Sequence, residues 1–541
     1  MSTVRRLPMI MVLVAVLVGG VVFDRTHRPT TASTVRPDTL MPSAQPAGSA
    51  GSTWYCAAGS ATGDSNGFAE QTVSVANSSD EEITGQLTAV PDKGDPVVSK
   101  LRIAGHSRQT VRISDLVRAT WASALVELSG GEVTVAQLFQ GPSGRSAGAC
   151  ASAPAQDWYF PSGSTRNGAR NLMALFNPFP GEATVDITFD TEDGSRAPQQ
   201  FDGLVLPGGR VSVVDVGAVV TLREQVSTSV HARAGRVVAQ QIQTADGREG
   251  GEQGLTVTLG ATSSAMDWFF PVATPADSSA HEVVSVLNPG EVDATVEVQV
   301  QVDDAAQVGS VEPYRLSVPA GRSASVDLMG DARIPRNAER WLIVHSTGGT
   351  GVVAARSIGS VRSADTGGLT YTLGVPVAAT NWLATFGNPV GIASSVIAIA
   401  NPSAAGDARV TVTIHGAGSA KDIPTMIDVV IASGERRLLD LTKELATRNE
   451  ASITISSDQP VVVGQLMVSP LPIDLLTPTV YPLIGSMSIV SDPVPPQVVA
   501  LDDALLPSEP TTTLDPAVST TTTVDSTSTT LMGAVTSTTI R

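Results

Sequence analysis

Residues whose types and spacing could support catalysis are few in this chain. The stretch GRSAG at Gly144–Gly148 matches the G-x-S-x-G pattern of a nucleophile elbow, in which a strand-to-helix turn exposes the serine. Here the stretch lies in a Gly/Ser-rich loop without helical periodicity, so we interpret the match as accidental. His281 and Glu282 begin an H-E-x-x-H zinc motif, but Ser285 stands where the second histidine should be. The sequence therefore predicts no catalytic residue, no metal ligand and no cofactor.

Histidines and recurring aspartates are the remaining candidates for chemistry. His231 and His415 alternate with apolar neighbours, which predicts that both side chains point to solvent. Asp215, Asp327 and Asp440 each follow a glycine by six residues in related segments. Catalysis seldom repeats in every copy of a unit, so turn capping is the favoured interpretation of these carboxylates. We predict that the protein is not an enzyme. The alternative is a hydrolase whose site residues meet only in the folded chain.

The N-terminal segment has the features of an export signal. Arg5 and Arg6 precede an apolar run, Leu7–Phe23. This run is at the lower limit for a membrane-spanning helix and slightly longer than a typical signal-peptide core. No small-residue cleavage site follows it. We therefore favour an uncleaved signal-anchor over residues 1–28, with residues 29–541 outside the cytoplasm, and keep a cleaved signal peptide as the alternative.

Two cysteines, Cys56 and Cys150, are consistent with export. An even cysteine count in an exported chain favours a disulfide, and these two bracket the first repeated unit described below. A bridge closing a loop of this length would contribute roughly 4–5 kcal/mol as an upper figure in the chain-entropy model. Two free buried thiols are the alternative.

Charge limits the classes of partner. The formal net charge is −18 at pH 7, and lysine is nearly absent. Affinity for nucleic acid comes largely from Lys and Arg that neutralise phosphates, so nucleic acid is excluded as a partner. The same balance gives no electrostatic attraction to an anionic membrane surface.

A short aromatic phrase recurs along the chain. DWYFP at Asp157–Pro161 returns as DWFFP at Asp267–Pro271, and shorter relatives are TWYC at Thr53–Cys56 and NWLATF at Asn381–Phe386. The tryptophans are Trp54, Trp158, Trp268 and Trp382, separated by 104, 110 and 114 residues. This period has the size of a domain. Core or interdomain packing is the favoured role of the four rings, and contact with a sugar ligand is the alternative.

Each unit continues with strand and turn patterns. An apolar stretch ends at an asparagine in every unit, at Asn77, Asn177, Asn288 and Asn401. An alternating run follows, such as ATVEVQVQV at Ala294–Val302, which is typical of a strand with one buried face. Asparagine between two strands indicates a turn because its side chain bonds the local backbone. About seven or eight strands in roughly 105–115 residues favour a two-sheet, immunoglobulin-like sandwich.

The predicted fold class is all-β, with four tandem immunoglobulin-like β-sandwich repeats. The N-terminal transmembrane helix precedes them, a Pro/Ser/Thr-rich linker acts as a spacer, and a disordered Thr/Ser-rich tail follows. The predicted segments are the anchor at 1–28, the linker at 29–52, the repeats at 53–153, 154–263, 264–377 and 378–488, and the tail at 489–541. Whether the repeats form a rod or a compact ring is left open.

Together, the W-x-F-P start, the Asn-Pro after an apolar strand and the Val-Val-Ala-Gln hairpin resemble a known family. It is a domain-of-unknown-function family of secreted or membrane-anchored actinobacterial proteins with tandem β-domains. The resemblance covers about residues 53–488. It implies a location in the cell envelope and carries over no activity and no site residues.

These observations predict a non-enzymatic, membrane-anchored structural or interaction protein of the bacterial cell envelope. Its expected partner is an envelope protein or a cell-wall polymer, and its expected location is the cell membrane, single-pass, or the medium if the first segment is cleaved. The alternative is a cell-wall glycan-binding protein that uses the repeated tryptophans. The ligand contacts would then be Trp54, Trp158, Trp268 and Trp382.

Overall fold

β-Strands are the main secondary structure of the described part of the chain, as the sequence predicted. In this computed structural model the described residues are 40–63, 67–248, 251–272, 280–303, 310–329, 331–334, 339–360, 368–386, 394–416, 419–422, 426–445, 451–470 and 473–483. They all belong to one compact unit that extends to Met487. The helical segments with described bounds are the 3-10 helices Ile113–Asp115, Gln199–Phe201 and Val216–Ala218 and the short helix α1 (Thr442–Leu445).

The strands form four successive groups, numbered by their order in the chain. Group 1 contains β1 (Ser52–Ala61), β2 (Glu70–Asn77), β3 (Ile83–Pro91), β4 (Val97–Ile103), β5 (Ser107–Arg112), β6 (Ala119–Leu128), β7 (Val133–Gly141) and β8 (Gly144–Ala149). Group 2 contains β9 (Asp157–Phe160), β10 (Ala169–Asn177), β11 (Ala183–Thr191), β12 (Gly194–Arg196), β13 (Leu204–Leu206), β14 (Arg210–Asp215), β15 (Val226–Ala234), β16 (Val238–Asp246) and β17 (Gln253–Leu259).

The second half of the unit repeats this series. Group 3 contains β18 (Asp267–Phe270), β19 (Ala280–Leu287), β20 (Ala294–Val302), β21 (Tyr314–Val318), β22 (Ser323–Asp327), β23 (Arg340–Ser346), β24 (Val353–Ser360) and β25 (Gly368–Leu373). Group 4 contains β26 (Ala379–Ala384), β27 (Ser394–Ala400), β28 (Ala408–Gly416), β29 (Ser419–Asp422), β30 (Val429–Ile431), β31 (Arg436–Asp440), β32 (Ser452–Pro470), β33 (Ile473–Leu476) and β34 (Val480–Pro482).

Strand pairing follows one order in all four groups. Group 1 has two antiparallel halves, β4-β3-β6-β1 and β5-β2-β7-β8, joined by a parallel pairing of β1 with β2 at Ser60 and Glu70. Group 2 has two separate antiparallel sheets, β13-β11-β15-β9 and β14-β10-β16-β17. Group 3 has β21-β20-β23-β18 and β22-β19-β24-β25. In group 4 the long strand β32 takes part in both sheets, β30-β28-β32-β26 and β31-β27-β32-β33. The aromatic phrase therefore lies in the first strand of each group.

Alternation along the strands decides which face each sheet buries. In β20 every second residue is buried, beginning with Ala294, Val296 and Val298. Between them, Thr295 is exposed and Glu297 is half-buried. Because successive side chains of a strand point to opposite faces, this pattern gives each sheet one apolar face. The apolar faces of the paired sheets pack together as in a β-sandwich. The cores of groups 1 and 2 are continuous with one another, whereas groups 3 and 4 each have their own core cluster.

Four strands, one from each group, contact one another in a closed cycle. Strand β8 contacts β17, β17 contacts β25, β25 contacts β33, and β33 contacts β8. The Val257 amide donates a hydrogen bond to Ser146 Oγ at 2.9 Å between groups 2 and 1. The hydroxyls of Thr370 and Thr477 lie 2.9 Å apart between groups 3 and 4. The four groups are therefore packed around these strands rather than strung out in a row.

A short segment before β1 joins the two ends of the described chain. Ser43 and Ala44 are buried, and the Ala44 amide donates to the Pro482 carbonyl at 3.0 Å. Ala44 also forms a parallel bridge with Leu483, beside the edge of β34. The described part of the predicted spacer therefore packs on the fold. Composition could not reveal this because the pairing edge comes from the far end of the sequence.

No helix in the described ranges has the length and apolarity needed to cross a membrane. The predicted signal-anchor at 1–28 and the predicted tail at 489–541 both lie outside the described residues.

Candidate functional site

All four repeated tryptophans are core residues. Trp54, Trp158, Trp268 and Trp382 are each at most 1% exposed. The indole Nε1 of Trp158 donates to the Val237 carbonyl at 2.9 Å, and the indoles of groups 3 and 4 bond the equivalent carbonyls. A ring covered on both faces offers no surface to a sugar. Their burial therefore agrees with the packing interpretation and removes these rings as contacts of a bound glycan.

Cys56 and Cys150 form a disulfide, as predicted. Both residues are fully buried, and the bond joins the first strand of group 1 to the residue directly after its last strand. Tyr481 from group 4 lies beside it and accepts a hydrogen bond from the Cys150 amide at 3.2 Å. The disulfide thus lies close to the junction of groups 1 and 4.

Four buried asparagines connect the second strand of each group to the following turn and to a later strand, which is β4, β13, β21 or β30. They are Asn77, Asn177, Asn288 and Asn401. In group 2, the Asn177 amide nitrogen donates to the carbonyls of Gly181 at 2.7 Å and Leu206 at 3.3 Å. Its oxygen accepts from the Phe179 amide at 3.1 Å. The other three make equivalent bonds, so this residue type satisfies buried backbone groups at the same place in each group.

The recurring aspartates cap turns, as predicted. Asp215 Oδ1 accepts from the Gly217 amide at 3.1 Å, and Asp327 and Asp440 each accept from the amide two residues later. The hydroxyl and amide hydrogen bonds of Thr442 hold the pKa of Asp440 below its ordinary value. Ser146 lies within strand β8, not in a strand-to-helix turn, which agrees with an accidental G-x-S-x-G match.

His415 is where a sequence prediction is wrong. Its side chain was expected in solvent, but the residue is only 5% exposed. Its ring stacks on that of His106 from group 1, with ring centres 4.6 Å apart. Nearby, the Arg108 guanidinium of group 1 lies 5.7 Å from the ring centre of Phe386 in group 4. Alternation correctly turned His415 away from its own core, but it could not show that group 1 covers that outer face. The other outward prediction holds, since His231 is exposed and contacts Asp157 at 2.7 Å.

Arginines at or near the start of β5, β14, β22 and β31 reach across to another group. They are Arg108, Arg210, Arg322 and Arg436. Arg322 of group 3 contacts Asp190 of group 2 at 2.5 Å, and Arg436 of group 4 contacts Asp303 of group 3 at 2.7 Å. Arg210 of group 2 donates to the Pro91 carbonyl of group 1 at 3.3 Å. The partners lie at or beside the end of the third strand, so these three junctions share one head-to-tail geometry.

A buried polar pair, which sequence analysis missed, joins two neighbouring strands of each group: β2 and β7, β10 and β16, β19 and β24, or β27 and β32. The pairs are Gln71 with Gln137 at 2.6 Å, Asn171 with Gln241 at 3.2 Å, Glu282 with Arg356 at 3.5 Å, and Ser395 with Gln465 at 3.0 Å. In group 3 the pair is ionic, and Arg340 adds a second contact to Glu282 at 2.5 Å. Burial lowers the pKa of Arg356, and the Glu282 carboxylate opposes that effect. The available sequence clue was a polar residue six positions before each buried asparagine.

A polar cleft with a volume of about 510 Å³ lies between groups 2 and 3. Arg166 lies on its wall, 2.9 Å from Glu252 and 3.8 Å from Glu224. Arg248 lies 3.0 Å from Asp246 on the same wall. The cleft therefore presents alternating guanidinium donors and carboxylate acceptors. In the ranges that the structure describes, no group of three or more His, Cys, Asp or Glu side chains is arranged to hold a metal ion.

The fold and these contacts define an all-β chain of paired antiparallel sheets. The sequence model of a family of unknown function, DUF5719, matches residues 132–330 and 240–470, and the chain belongs to this family. No curated protein matches the chain.

Two solved structures are similar only in part. A Thermotoga maritima protein, 1070, is 19% identical with a TM-score of 0.18, covering 20% of this chain and 93% of its own. A tetra-tandem repeat from the extending region of a large adhesion protein is 11% identical with a TM-score of 0.10, covering 79% of this chain and 98% of its own. Neither similarity is close enough to carry a functional argument.

Proposed function

We propose that the protein is a non-enzymatic, membrane-anchored extracellular structural or interaction protein of a bacterial cell envelope. In this proposal four tandem immunoglobulin-like sandwich repeats form its folded part. A single-pass anchor at 1–28 holds the repeats at the cell membrane, and the Thr/Ser-rich tail at 489–541 is free. If the first segment is cleaved, the same unit is secreted. The partner is an envelope protein or a cell-wall polymer.

The observation that carries the proposal is the closed cycle of contacts among β8, β17, β25 and β33. The arginine junctions and the pairing of Ala44 with Leu483 reinforce that cycle. An interface built from buried polar and apolar contacts holds its parts in fixed relative positions. Such a unit is suited to presenting a rigid surface to a partner. The buried disulfide between Cys56 and Cys150 favours an oxidising compartment.

A second candidate is a cell-wall glycan-binding protein. The buried tryptophans do not serve it, but the polar cleft between groups 2 and 3 does. The two candidates are compatible because a scaffold can also hold one ligand site.

The location is tested by expressing the full chain with a C-terminal epitope tag and separating membrane, cytosol and medium. We expect the tag in the membrane fraction, removable by detergent but not by salt, and digested when intact protoplasts meet protease. Appearance of a shortened chain in the medium would select the secreted form. A tag that is cytosolic or protected from protease would overturn the proposal. A photo-crosslinking residue at exposed Val292 then captures the partner, with exposed Leu222 as a second position.

A further inference from the structure

The junction between groups 1 and 2 is sealed by apolar side chains. On the group 1 side, Phe68, Trp121 and Phe139 contribute their rings. On the group 2 side, the outer face of the sheet β14-β10-β16-β17 contributes the apolar residues Leu172, Val213, Ile242, Leu255 and Val257. Burial of this much apolar surface excludes water from the junction.

Corresponding positions in the next junction can be matched through strand register. Trp121 and Gln225 each lie five residues before the valine that pairs with the group's tryptophan. Phe68 and Gly168 each lie nine residues before the buried asparagine of their group. Phe139 corresponds in the same way to Gln243, because Gln137 and Gln241 occupy equivalent places in β7 and β16. Group 2 therefore has a glycine and two glutamines where group 1 has the aromatic rings of Phe68, Trp121 and Phe139.

The opposite wall changes in the same direction. Ile242 pairs with Val257 in group 2, and the equivalent pair in group 3 is Ser357 with Tyr371. Val213 corresponds to Ser325, whose hydroxyl donates a hydrogen bond to the Gln225 side-chain oxygen at 2.7 Å. At these positions both walls have exchanged apolar side chains for polar ones, while Val283 keeps an apolar side chain at the position of Leu172.

The result is the cleft of about 510 Å³, where the preceding junction is filled. This volume is within the range of small-molecule sites, roughly 300–1,000 Å³. If the replacement of apolar by polar residues served packing alone, at least one wall would have kept side chains large enough to fill the space. Instead, both walls present hydrogen-bonding groups to an open volume.

The chemistry of the walls indicates the ligand. Carboxylates of Glu224 and Glu252 accept hydrogen bonds, and the Arg166 guanidinium between them donates. Vicinal hydroxyls of a sugar both donate and accept, so they match such an alternating row. Tyr371 adds an aromatic ring to the lining, which suits the apolar C–H face of a sugar. Burial raises the pKa of the Tyr371 phenol, so its hydroxyl stays neutral at ordinary pH.

We propose that the cleft between groups 2 and 3 binds a neutral oligosaccharide. The described lining carries the carboxylates of Glu224, Asp246 and Glu252 against the guanidiniums of Arg166 and Arg248, so an anionic ligand is disfavoured. Both guanidiniums already contact carboxylates, which leaves no concentrated charge of either sign for a strongly ionic ligand.

The test uses the full chain purified in a detergent without a sugar headgroup. Isothermal titration calorimetry measures binding of neutral oligosaccharides, among them chitotetraose and maltotetraose, with a heparin tetrasaccharide and tetralysine as charged probes. The Ser357→Ile substitution places in group 3 the residue that group 2 carries at Ile242. It should weaken neutral binding about tenfold or more by filling the cleft. Glu224→Gln removes one exposed acceptor from the wall and should weaken binding without a change in folding.

Glu182→Gln is the matched control because Glu182 is exposed in the same group and lies outside the cleft lining. Neutral binding that both cleft variants weaken and the control retains would support the proposal. Binding of charged probes alone, no binding of any neutral oligosaccharide, or equal binding by all variants would overturn it. This inference deepens the proposed interaction role by naming one ligand class. A negative result would leave the envelope location, which fractionation tests, unaffected.

Discussion

The phenolic oxygen of Tyr481 donates a hydrogen bond to the carbonyl of Val135 at 2.5 Å. Tyr481 lies in β34 of group 4 and Val135 in β7 of group 1, so this bond joins the last group to the first. The ring of Tyr481 also packs edge-on against Trp54, with ring centres 5.1 Å apart. One side chain from the last group thus forms part of the core of the first.

Removing the Tyr481 hydroxyl should weaken the contact between groups 4 and 1. In Tyr481→Phe the buried Val135 carbonyl and Cys150 amide lose their bonds to the phenol and keep their 3.3 Å bond to each other. We expect the free energy of unfolding to fall by about 0.5–1.5 kcal/mol, the net contribution of a typical hydrogen bond. Chemical denaturation followed by tryptophan fluorescence measures it. Tyr55→Phe, at a half-buried tyrosine of β1, serves as the control. Equal stability of the Tyr481 variant and the wild type would contradict the role assigned to this bond.

The buried asparagine should not tolerate a carboxylate. Asn177→Asp keeps the shape of the side chain but replaces the donor that bonds Gly181 and Leu206. We expect a loss of about 2–4 kcal/mol at neutral pH, because a charge is buried facing two carbonyl oxygens. Thermal unfolding should show partial recovery at acidic pH, where the carboxyl is protonated and can donate. Asn381→Asp, at a half-buried residue in the first strand of group 4, is the comparison. An effect of equal size there would refute the argument.

The ionic pair of group 3 gives a third prediction. Glu282→Gln leaves the buried guanidiniums of Arg340 and Arg356 without their carboxylate. Losing one member of a buried ion pair should cost about 3–5 kcal/mol. Adding Arg356→Gln recreates the pair found in group 1, Gln71 with Gln137. The double variant should recover part of the loss, with Arg340 still unpaired. A double variant less stable than either single one would show that the four pairs are not interchangeable.

Alkaline conditions should destabilise the fold. Burial, together with the nearby Asp157 carboxylate, raises the pKa of Tyr159 from its ordinary value of 10.0 to about 12. Burial and the hydrogen bond to Asp331 raise the pKa of Tyr314 to about 12 as well. The folded chain then keeps protons that the unfolded chain releases first. The free energy of unfolding therefore falls as pH rises from about 10 towards 12.

Tyrosinate absorbance of the native protein, titrated beside circular dichroism, measures this effect. Native absorbance should lag behind that of the denatured chain and rise together with unfolding. A native titration that coincides with the denatured one would contradict the burial of these rings.

Much of the local fold could be predicted because it depends on neighbours in sequence. The alternation of Val296 and Val298 with polar residues indicated a one-faced strand, and the structure has β20 there. The spacing of Trp158 and Asn177 correctly placed the first two strands of group 2. The capping role of Asp215 followed from its place after a glycine turn.

Features that join groups could not be predicted in the same way. His415 points away from its own core, and only the position of His106 from group 1 explains its burial. The cleft between groups 2 and 3 requires the register of both sheets, since Ser357 and Gln225 are far apart in sequence. Such contacts depend on how complete sandwiches dock, and no local pattern specifies that.

The bridge between Ala44 and Leu483 has a mechanical consequence. The two paired segments run parallel. A pull on the chain before Ala44 and on the chain after Leu483 therefore acts along them in opposite directions. The load would slide one strand past the other, in shear, before any sandwich is stretched. A force applied to the two ends would therefore load this pairing first, and the four groups would carry load only after it had broken.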